Sequence, residues 1–586
     1  MSESDKASER TGGLGGPGRL APILAWGLLL VPFFLHLAFL PSLGRLQSDD
    51  YYGVLDRLSD GHQLASDLDT WLHIRITYHR VTVPALIWAL NIKLFHGDNI
   101  PTAALALGFL TGIFLILYRH LPQGLAGRSP ERWLVAFMIS VLVFAPHAAY
   151  NLALSFGGIH YYLSDLLAIL SIAVVVHFAG SRLGPWPLVF LGLIASFTFS
   201  SHLALWPALV IGALVLGRRW RDFAVIALAA GIACAVFLWG IHPFSRPSSS
   251  WPGGELILRY VGVFLGSPFT KDLEVARAVG WTGLGLAAVL QTWVHVRRLA
   301  PRPATAFWLM VQLYGLGSGL LAAMARAAKY GEAQAVAARY QLFVAFFWAG
   351  TAVAAALLLR RVSARRRPVA IAAFLLALTA VAVTVYSRSF RAMTFFAHRG
   401  ERQEVAALGF LWSAWDEDLI RKTVCHQPAR LISFIELLRS LGHAPFDRTV
   451  PEMSHQRVPK RLLSRRPNPE IEGYLTEVRS TSNPDLLRVR GWAFHPQQMT
   501  EEVVFIDRRR RRMSRILLGF HRPDLRKRVG RRAAGWEGFV EWRQRRDVWT
   551  PYVRLASDPT FYPLPSSSSA EKHLQQIFAQ RLVSPR

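Results

Sequence analysis

The first two thirds of the chain consist of apolar runs that alternate with short charged loops, and this alternation limits the folds that the chain can adopt. Up to Arg388, runs rich in Leu, Ala, Val and Phe follow one another, whereas no later run reaches the about 20 residues that a helix needs to cross hydrocarbon. Only helices and closed barrels satisfy their backbone hydrogen bonds within lipid. The pattern therefore predicts an α-helical polytopic membrane protein, with about eleven spanning helices in residues 20–387.

Most of the expected spans have clear limits. The run that begins at Leu20 is too long for the core of a signal peptide and has no small-residue cleavage site after it, so we interpret it as an uncleaved first helix. Residues 184–217 fit either two short helices or one kinked helix. The expected spans are 20–40, 102–118, 132–149, 159–179, 184–200, 202–217, 223–241, 276–296, 305–325, 339–359 and 368–387.

The distribution of basic residues predicts the orientation. Cytoplasmic loops carry an excess of Lys and Arg, and in this chain the basic residues fall in alternate loops. Segment 81–96 is shorter than a span and contains Pro84 and Lys93, which favours an amphipathic helix in the outer interface. With that choice, the tail 1–19 is cytoplasmic, residues 41–101 form one large outer loop, and the C-terminal region is extracytoplasmic. The basic segments are Arg119–Arg132, Arg182, Arg218–Arg221, Arg297–Arg302 and Arg360–Arg367.

The net charge of +28 has a membrane explanation. In a soluble protein such a charge would suggest a nucleic-acid partner. Here the basic residues of the first part set the orientation, and those of the C-terminal part can face anionic headgroups or polyanionic glycans. We therefore expect the lipid bilayer as a partner and no nucleic acid.

Acidic residues are sparse in the membrane part, so the adjacent pair Asp49 and Asp50 is informative. The pair follows the first span, on the wet side of the expected outer leaflet. Two such carboxylates can act as a general base or bind a divalent cation such as Mg²⁺ or Mn²⁺, and either role activates an acceptor hydroxyl. The alternative is an ordinary solvated loop.

A second group of candidates lies at the outer start of a late span, where Arg339 and Tyr340 follow a loop that contains Lys329. A guanidinium at the membrane surface can hold the phosphates of a lipid-linked donor. The alternative is an interfacial anchor whose charged end reaches toward the headgroups.

A third group of candidates is His160, Tyr161 and Asp165, in the segment NLALSFGGIHYYLSDLL. An ionisable residue inside a spanning helix is a functional candidate by default, and on a helix Tyr161 and Asp165 share a face. These side chains could line the outward mouth of a substrate cavity. Alternatively, Asp165 is hydrogen-bonded to another helix.

The segment after the acidic pair carries a family resemblance. Tyr51 and Tyr52, residues typical of a membrane interface, are followed by a polar stretch and then by WLHIRITYHRVTVPALIWALNIKLFHGDNIP. Over residues 20–120 and in helix number, the chain resembles the GT-C superfamily of membrane glycosyltransferases. In that family an acidic residue or pair follows the first helix, and interfacial helices follow it; the counterparts here are Arg80–Pro84 and Leu94–Asn99.

The triplet Ala338-Arg339-Tyr340 also resembles bacterial members of that superfamily. The resemblance implies an inverting transfer of a sugar from a polyprenyl-phosphate-linked donor to an extracytoplasmic glycan, lipid or protein, at the bacterial cytoplasmic membrane. It further implies that Asp49 and Asp50 act as base or metal ligands, and that Arg339 and Arg80 contact phosphate.

The region after the spans reads as a soluble domain. Residues 388–470 predict a helical connector and a Pro/Arg-rich linker, 471–565 a small antiparallel β domain, and 566–586 a flexible tail. The motifs GWAFHP, RPDL and GWEGF occur in order and resemble a β domain appended to some bacterial membrane glycosyltransferases. Trp492 and Trp536 either stack on sugar rings or pack in a core. The acidic cluster 416–418 is interpreted as a solvated helix face.

Two other function classes are compatible with the sequence. A transporter or flippase of lipid-linked glycans would spread charge along a central pore and contain broken helices and internal repeats, whereas this chain concentrates its charge on the expected outer side. A non-catalytic protein of envelope assembly would use the β domain to bind partners and would not need the aspartates.

Overall fold

The computed structural model of the chain is mostly helical and describes most of the sequence. The described residues are 17–59, 63–76, 79–122, 125, 130–177, 186–239, 252–363, 365–450, 458–506, 514–520, 534–541, 550–567, 570, 572 and 576. For residues 17–26, 49, 50, 130, 155, 388, 389, 514, 515, 517–520 and 534, only the backbone is described.

The helices of these ranges, in chain order, are α1 (Pro17–Phe39), α2 (Asp49–Leu58), α3 (Leu68–His73), α4 (Thr82–Phe95), α5 (Asn99–Arg119), α6 (Pro130–Val143), α7 (Ala148–Ala153), α8 (Ser155–His177), α9 (Pro187–Ser196), α10 (Leu205–Leu216), α11 (Trp220–Leu238), α12 (Gly254–Gly266), α13 (Leu273–Val296), α14 (Arg302–Tyr330), α15 (Gln341–Leu359), α16 (Arg367–Leu411), α17 (Glu417–Thr423), α18 (Pro428–Ser433) and α19 (Ile435–Ser440). Short 3₁₀ helices cover Leu40–Ser42, Ser200–Ala204, Glu332–Val336, Ala338–Tyr340 and Lys460–Leu462.

The strands are β1 (Arg75–Ile76), β2 (His79–Arg80), β3 (Glu472–Ser480), β4 (Leu486–Phe494), β5 (Thr500–Ile506), β6 (Ser514–Phe520), β7 (Ala534–Glu541), β8 (Thr550–Leu555) and β9 (Asp558–Pro563). They form a two-stranded hairpin β1-β2, a four-stranded antiparallel sheet in the order β3-β4-β7-β6 and a three-stranded antiparallel sheet in the order β5-β8-β9.

Seven helices of the described ranges are long and apolar enough to cross a membrane, so the chain is a membrane protein by its helix lengths and composition. These are α5, α8, α11, α13, α14, the segment Ala338–Leu359 that contains α15, and α16. The expected number of eleven is not confirmed. Four further apolar helices, Gly27–Ser42, Thr82–Phe95, Pro187–Ser196 and Ser200–Leu216, are shorter than a standard span.

The ambiguous segment 184–217 contains two helices. Helix α9 ends at Ser196, Phe199 is extended, and a 3₁₀ turn from Ser200 to Ala204 leads into α10. The interpretation as one kinked helix is therefore wrong for the described part of this segment.

The chain divides into two compact units, and each contains one group of candidate residues. The first unit consists of Met1–Leu40, Arg75–Pro84 and Ala103–Met393, and the second consists of Pro41–Ile74, Ala85–Thr102 and Thr394–Arg586. Helix α16 contributes its first part to the first unit and its remainder to the second.

Small residues let the helices of the first unit approach one another closely. A side chain at Gly280 of α13 would overlap the backbone oxygen of Gly262 in α12, and one at Gly315 of α14 would overlap that of Phe343 in α15. Gly315 belongs to the sequence GLGSGL, which thus serves helix packing and not nucleotide binding.

Buried amide groups also join α13, α14 and α15. The amide of Gln291 donates to Gln312 Oε1 at 2.8 Å, and the amide of Gln312 donates to Thr351 Oγ1 at 2.8 Å. Interhelical hydrogen bonds of this kind stabilise helix association within lipid, where unpaired polar groups are costly.

In the second unit, the loop after α1 is held to the C-terminal connector. The guanidinium of Arg45 pairs with Asp98 and, at 2.6 Å, with Asp447. The backbone N–H of Ala444 donates to the carbonyl of His96 at 2.7 Å. Since these contacts join residues that are far apart in sequence, the loop and the connector must lie on the same side of a membrane crossed by the helices between them.

The antiparallel β region expected near the C-terminus is confirmed, and its two sheets share one apolar core. Trp536 is fully buried with its ring 5.7 Å from that of Phe505, and Trp492 is 1% exposed with its ring 5.2 Å from that of Tyr474. Both tryptophans therefore belong to the core, and neither can stack on a sugar.

A buried ion network connects the β region to the helical connector. Arg488 of β4 is 1% exposed, and its guanidinium lies 2.7 Å from Asp416, 3.2 Å from Glu477 and 3.3 Å from Glu537. Asp416 also accepts hydrogen bonds from the first backbone N–H groups of α17. The interpretation of 416–418 as a solvated helix face is thus wrong for Asp416, which is buried as a helix cap and ion-pair partner.

Candidate functional site

The acidic pair begins a helix. Asp49 and Asp50 are the first residues of α2, after Ser48 in an extended conformation. Their carboxylates lie outside the described part of the structure, so their predicted catalytic or metal-binding role is a matter of position alone.

A residue of the C-terminal connector, His443, contacts the first turn of α2. Tyr51 is 2% and Tyr52 1% exposed, so both rings are buried within the protein. The hydroxyl of Tyr51 lies 2.9 Å from Nε2 of His443, whose Nδ1 lies 2.8 Å from the carbonyl of Ala444. Because that carbonyl needs a donor, Nδ1 carries the proton and Nε2 accepts from Tyr51.

The ionisation of His443 supports this assignment. Burial lowers the pKa of His443 to about 4, so the ring is neutral at physiological pH. The interactions of Asp447 and Asp98 oppose the shift and that of Arg45 adds to it, but burial is the largest contribution. The connector thus supplies a neutral imidazole that accepts the hydrogen bond of Tyr51, which directly follows the acidic pair.

In the first unit, several predicted residues meet around Arg339, and we call His79, His160, Tyr161, Arg339 and Tyr340 the Arg339 cluster. The guanidinium of Arg339 lies 5.2 Å from the ring centre of Tyr340 and interacts electrostatically with the hydroxyl of Tyr161. His79 is under the electrostatic influence of both His160 and Arg339. The 3₁₀ turn 338–340, helix α8 and strand β2 therefore converge here.

Phe199, in the turn between α9 and α10, holds the rings of the cluster together. Its centroid lies 4.0 Å from that of His79, 5.0 Å from that of His160 and 4.6 Å from that of Tyr161. His79 Nδ1 also hydrogen-bonds to the hydroxyl of Ser200. Burial lowers the pKa of His79 well below its ordinary value, with the nearby cations acting in the same direction, so its imidazole is neutral.

Among the described residues, the positive charge at this end of α14 and α15 is not balanced by carboxylates. Arg326 and Lys329 lie 5.9 and 5.1 Å from the ring centre of Tyr330. Within the described residues, no carboxylate pairs with these two cations or with Arg339. The nearby Glu332 lies 3.6 Å from Arg277 instead. Such a group of cations can attract an anion such as a phosphate.

Arg80 is in the hairpin of His79 but has other neighbours. Its side chain is buried, it donates to the carbonyl of Trp239 at the end of α11, and its guanidinium lies 5.0 Å from the Trp239 ring and 5.8 Å from that of Phe197. Burial and the adjacent Arg75 lower the pKa of Arg80 to about 10, so it stays charged at neutral pH. The structure therefore places Arg80 beside Trp239 and not within the Arg339 cluster.

Asp165 lies one turn along α8 from Tyr161 and is paired. It is 1% exposed and accepts a hydrogen bond of 2.7 Å from the hydroxyl of Tyr314 in α14, while the neighbouring Ser164 contacts Ser201 at 3.1 Å. The alternative of a hydrogen bond to another helix is thus confirmed. Asp165 thus links α8 to α14, and its predicted role at the mouth of a substrate cavity stays a prediction.

The described residues contain no group of three or more His, Cys, Asp or Glu side chains close enough to hold a metal ion. A divalent cation at the acidic pair therefore stays a prediction. The chain matches no protein-family model, no curated protein and no solved structure in the comparisons with known proteins.

Proposed function

We propose that the chain is a GT-C-type membrane glycosyltransferase of a bacterial cytoplasmic membrane, which passes a sugar from a polyprenyl-phosphate-linked donor to an extracytoplasmic glycan, lipid or protein. The Arg339 cluster carries this proposal. It brings together cations that have no carboxylate partner among the described residues, the imidazoles of His79 and His160, and tyrosine hydroxyls. A lipid-linked phosphate presents its charge at that depth of a membrane.

The proposed reaction follows from the charges. The acceptor hydroxyl attacks the anomeric carbon, its proton passes to a general base, and the bond between that carbon and the phosphate oxygen breaks. The family resemblance assigns the role of the base to Asp49 or Asp50. Negative charge grows on the departing phosphate, where Arg339 stabilises it, while Arg326 and Lys329 attract the anionic donor. A Mg²⁺ or Mn²⁺ ion held by the acidic pair would lower the pKa of the acceptor hydroxyl.

The finer topology belongs to the same proposal. Helices α1, α6, α9 and α10 would cross the membrane together with the seven longer helices, giving eleven spans. Residues 41–101 and the C-terminal region would then be extracytoplasmic. The pairing of Arg45 with Asp447 supports a common side for these two segments.

The direct test is sugar transfer by the purified full-length chain in detergent, with radiolabelled polyprenyl-phosphate pentoses and hexoses as donors. Arg339→Ala should lose transfer. Arg339→Lys should keep only a part of it, because an ammonium retains the charge but cannot form a bidentate contact with phosphate. Arg297→Ala is the matched control, since Arg297 also lies over a neighbouring aromatic ring, that of Trp293. Full transfer by Arg339→Ala would refute the assigned role.

A flippase of lipid-linked glycans is the second candidate, and the buried polar groups within the helices favour it. Asp165, Tyr314, Gln291 and Gln312 are all buried polar residues of spanning segments, as a polar translocation path would require. Movement of a fluorescent lipid-linked sugar across a reconstituted bilayer, without cleavage of its phosphate bond, would establish this activity in place of transfer.

A further inference from the structure

The second unit contains a cavity of about 610 Å³ to which the proposed transfer assigns no residue. It lies where the start of α17 faces the end of β3, and its lining includes Trp415, Asp418, Arg421, Arg479 and Gln576. Its volume is within the range of about 300–1,000 Å³ that is typical of small-ligand sites.

The walls of the cavity are fixed in advance by contacts within the protein. The backbone N–H of Trp415 donates to the Ser482 hydroxyl at 3.0 Å, and the backbone N–H of Ser482 donates to the carbonyl of Trp415, also at 3.0 Å. Asp416, whose side chain is 5% exposed, is held by Arg488 at 2.7 Å. A site built in this way loses little conformational entropy when a ligand binds.

The cavity is lined by both signs of charge in near balance. Asp418 lies 3.1 Å from Arg479 and 2.7 Å from Lys422, and Glu417 lies 4.0 Å from Arg421. A polyanion would meet the carboxylates, and a polycation would meet the guanidinium groups. The walls therefore suit a ligand without net charge that both donates and accepts hydrogen bonds.

The remaining lining residues further limit the class of ligand that fits the cavity. Trp415 is half-buried and offers an aromatic surface, while Ser480 and Gln576 add hydroxyl and amide groups at the wall. Vicinal hydroxyls match paired carboxylate and guanidinium groups, and the C–H face of a sugar ring packs on an indole. We propose that this cavity binds a short segment of a neutral oligosaccharide.

This inference deepens the proposed function by naming a neutral glycan as the acceptor or product that the chain retains, but binding itself does not depend on transfer. The two can therefore fail separately. Glycan binding in a chain without transferase activity would support the cavity alone, and transfer without glycan binding would overturn the cavity alone.

The experiment is isothermal titration of the full-length chain in detergent with short neutral gluco-, manno-, galacto- and arabino-oligosaccharides. At least one series should bind, and Trp415→Ala should raise its Kd by about tenfold or more, as expected for an aromatic anchor. Trp415→Phe should recover part of the affinity. Arg421→Ala should raise the Kd about threefold to tenfold.

Arg439→Ala provides the matched control, because Arg439 is also an exposed connector arginine in a local ion pair, with Glu436 at 2.7 Å, but does not line the cavity. Its Kd should equal that of the unchanged chain. Thermal unfolding of every variant separates a lost site from a lost fold. Binding to none of the neutral series, equal binding by Trp415→Ala in a folded chain, or preference for uronic-acid or phosphorylated glycans weakened by salt between about 50 and 500 mM would overturn the proposal.

Discussion

Two arginines of this chain lie among polar groups, yet their surroundings are opposite. Arg488 in the second unit is 1% exposed and has three carboxylates within 3.3 Å. Arg339 in the first unit has tyrosine hydroxyls and imidazoles around it and, in the ranges that the structure covers, no carboxylate partner. A fully neutralised guanidinium stabilises a fold, whereas a guanidinium that lacks a counter-charge can bind an anion that arrives from outside.

The largest expected effect concerns the neutralised arginine. Arg488→Ala removes the ion-pair partner of the buried Asp416, and the loss of one partner of a buried ion pair costs about 3–5 kcal/mol. Chemical denaturation of the full chain, followed by near-ultraviolet circular dichroism, measures this loss. Arg439→Ala removes an exposed pair and should cost less than about 1 kcal/mol. Equal small losses in both variants would show that the buried network does not stabilise the β region.

The second expected effect extends the comparison to the buried His443. Its pKa is about 4 in the folded chain, against an ordinary 6.5, so the unfolded chain binds the additional proton. Stability is therefore fully present above about pH 6.5 and falls as the pH is lowered toward 4, by up to about 3 kcal/mol.

His443→Gln should remove this part of the pH dependence, which a series of unfolding curves between pH 4 and 7 measures. His426→Gln is the control, because His426 is an exposed histidine of the same connector. An unchanged slope in His443→Gln would contradict the burial of a neutral ring next to Tyr51.

The third expected effect concerns the arginine without a carboxylate. Arg339→Ala should reduce transfer about a hundredfold, which corresponds to about 2.7 kcal/mol of transition-state stabilisation, by analogy with removal of one donor to a developing anion. The unfolding free energy should change by less than about 1 kcal/mol, because no partner charge is left unpaired. A variant that loses stability and keeps its rate would reverse the comparison between the two arginines.

The smallest expected effect concerns Lys329, one of the cations near Arg339. Lys329 is exposed and lies over Tyr330, so its charge is screened by solvent. Lys329→Ala should raise KM for the lipid-linked donor about threefold with little change in kcat, and the difference should shrink at high salt. A salt-independent loss of kcat would mean that Lys329 contacts the reacting phosphate directly.

The sequence allowed prediction of those features that depend on local composition. Long apolar runs predict α5, α8, α13, α14 and α15, because the thickness of the hydrocarbon layer sets a minimum length for a spanning helix. The number of spans does not follow from run length alone, because α9 and α10 are short and a 3₁₀ turn joins them. The antiparallel β region was predictable from alternating strands and turn residues.

The contacts of the candidate residues could not be predicted, because their partners are distant in the sequence. Arg339 and Tyr340 are recognisable beside an apolar run, but His79 lies in a two-residue strand, and its partner Ser200 is 121 residues away. Asp416 looked solvated because its neighbours in the chain are acidic. Its burial depends on Arg488, which no local pattern connects to it.

The ion pair between Arg45 and Asp447 also has a consequence for biosynthesis. The two residues are separated by 402 positions, so the loop that contains Arg45 leaves the ribosome long before Asp447 is synthesised. At about 5–20 residues per second, that interval is about 20–80 s. During that interval, the face of Tyr51 that later packs against His443 of the connector is open to water and to chaperones. Completion of this loop is therefore a late event, which waits until the final helix has been inserted and the connector has reached the same compartment.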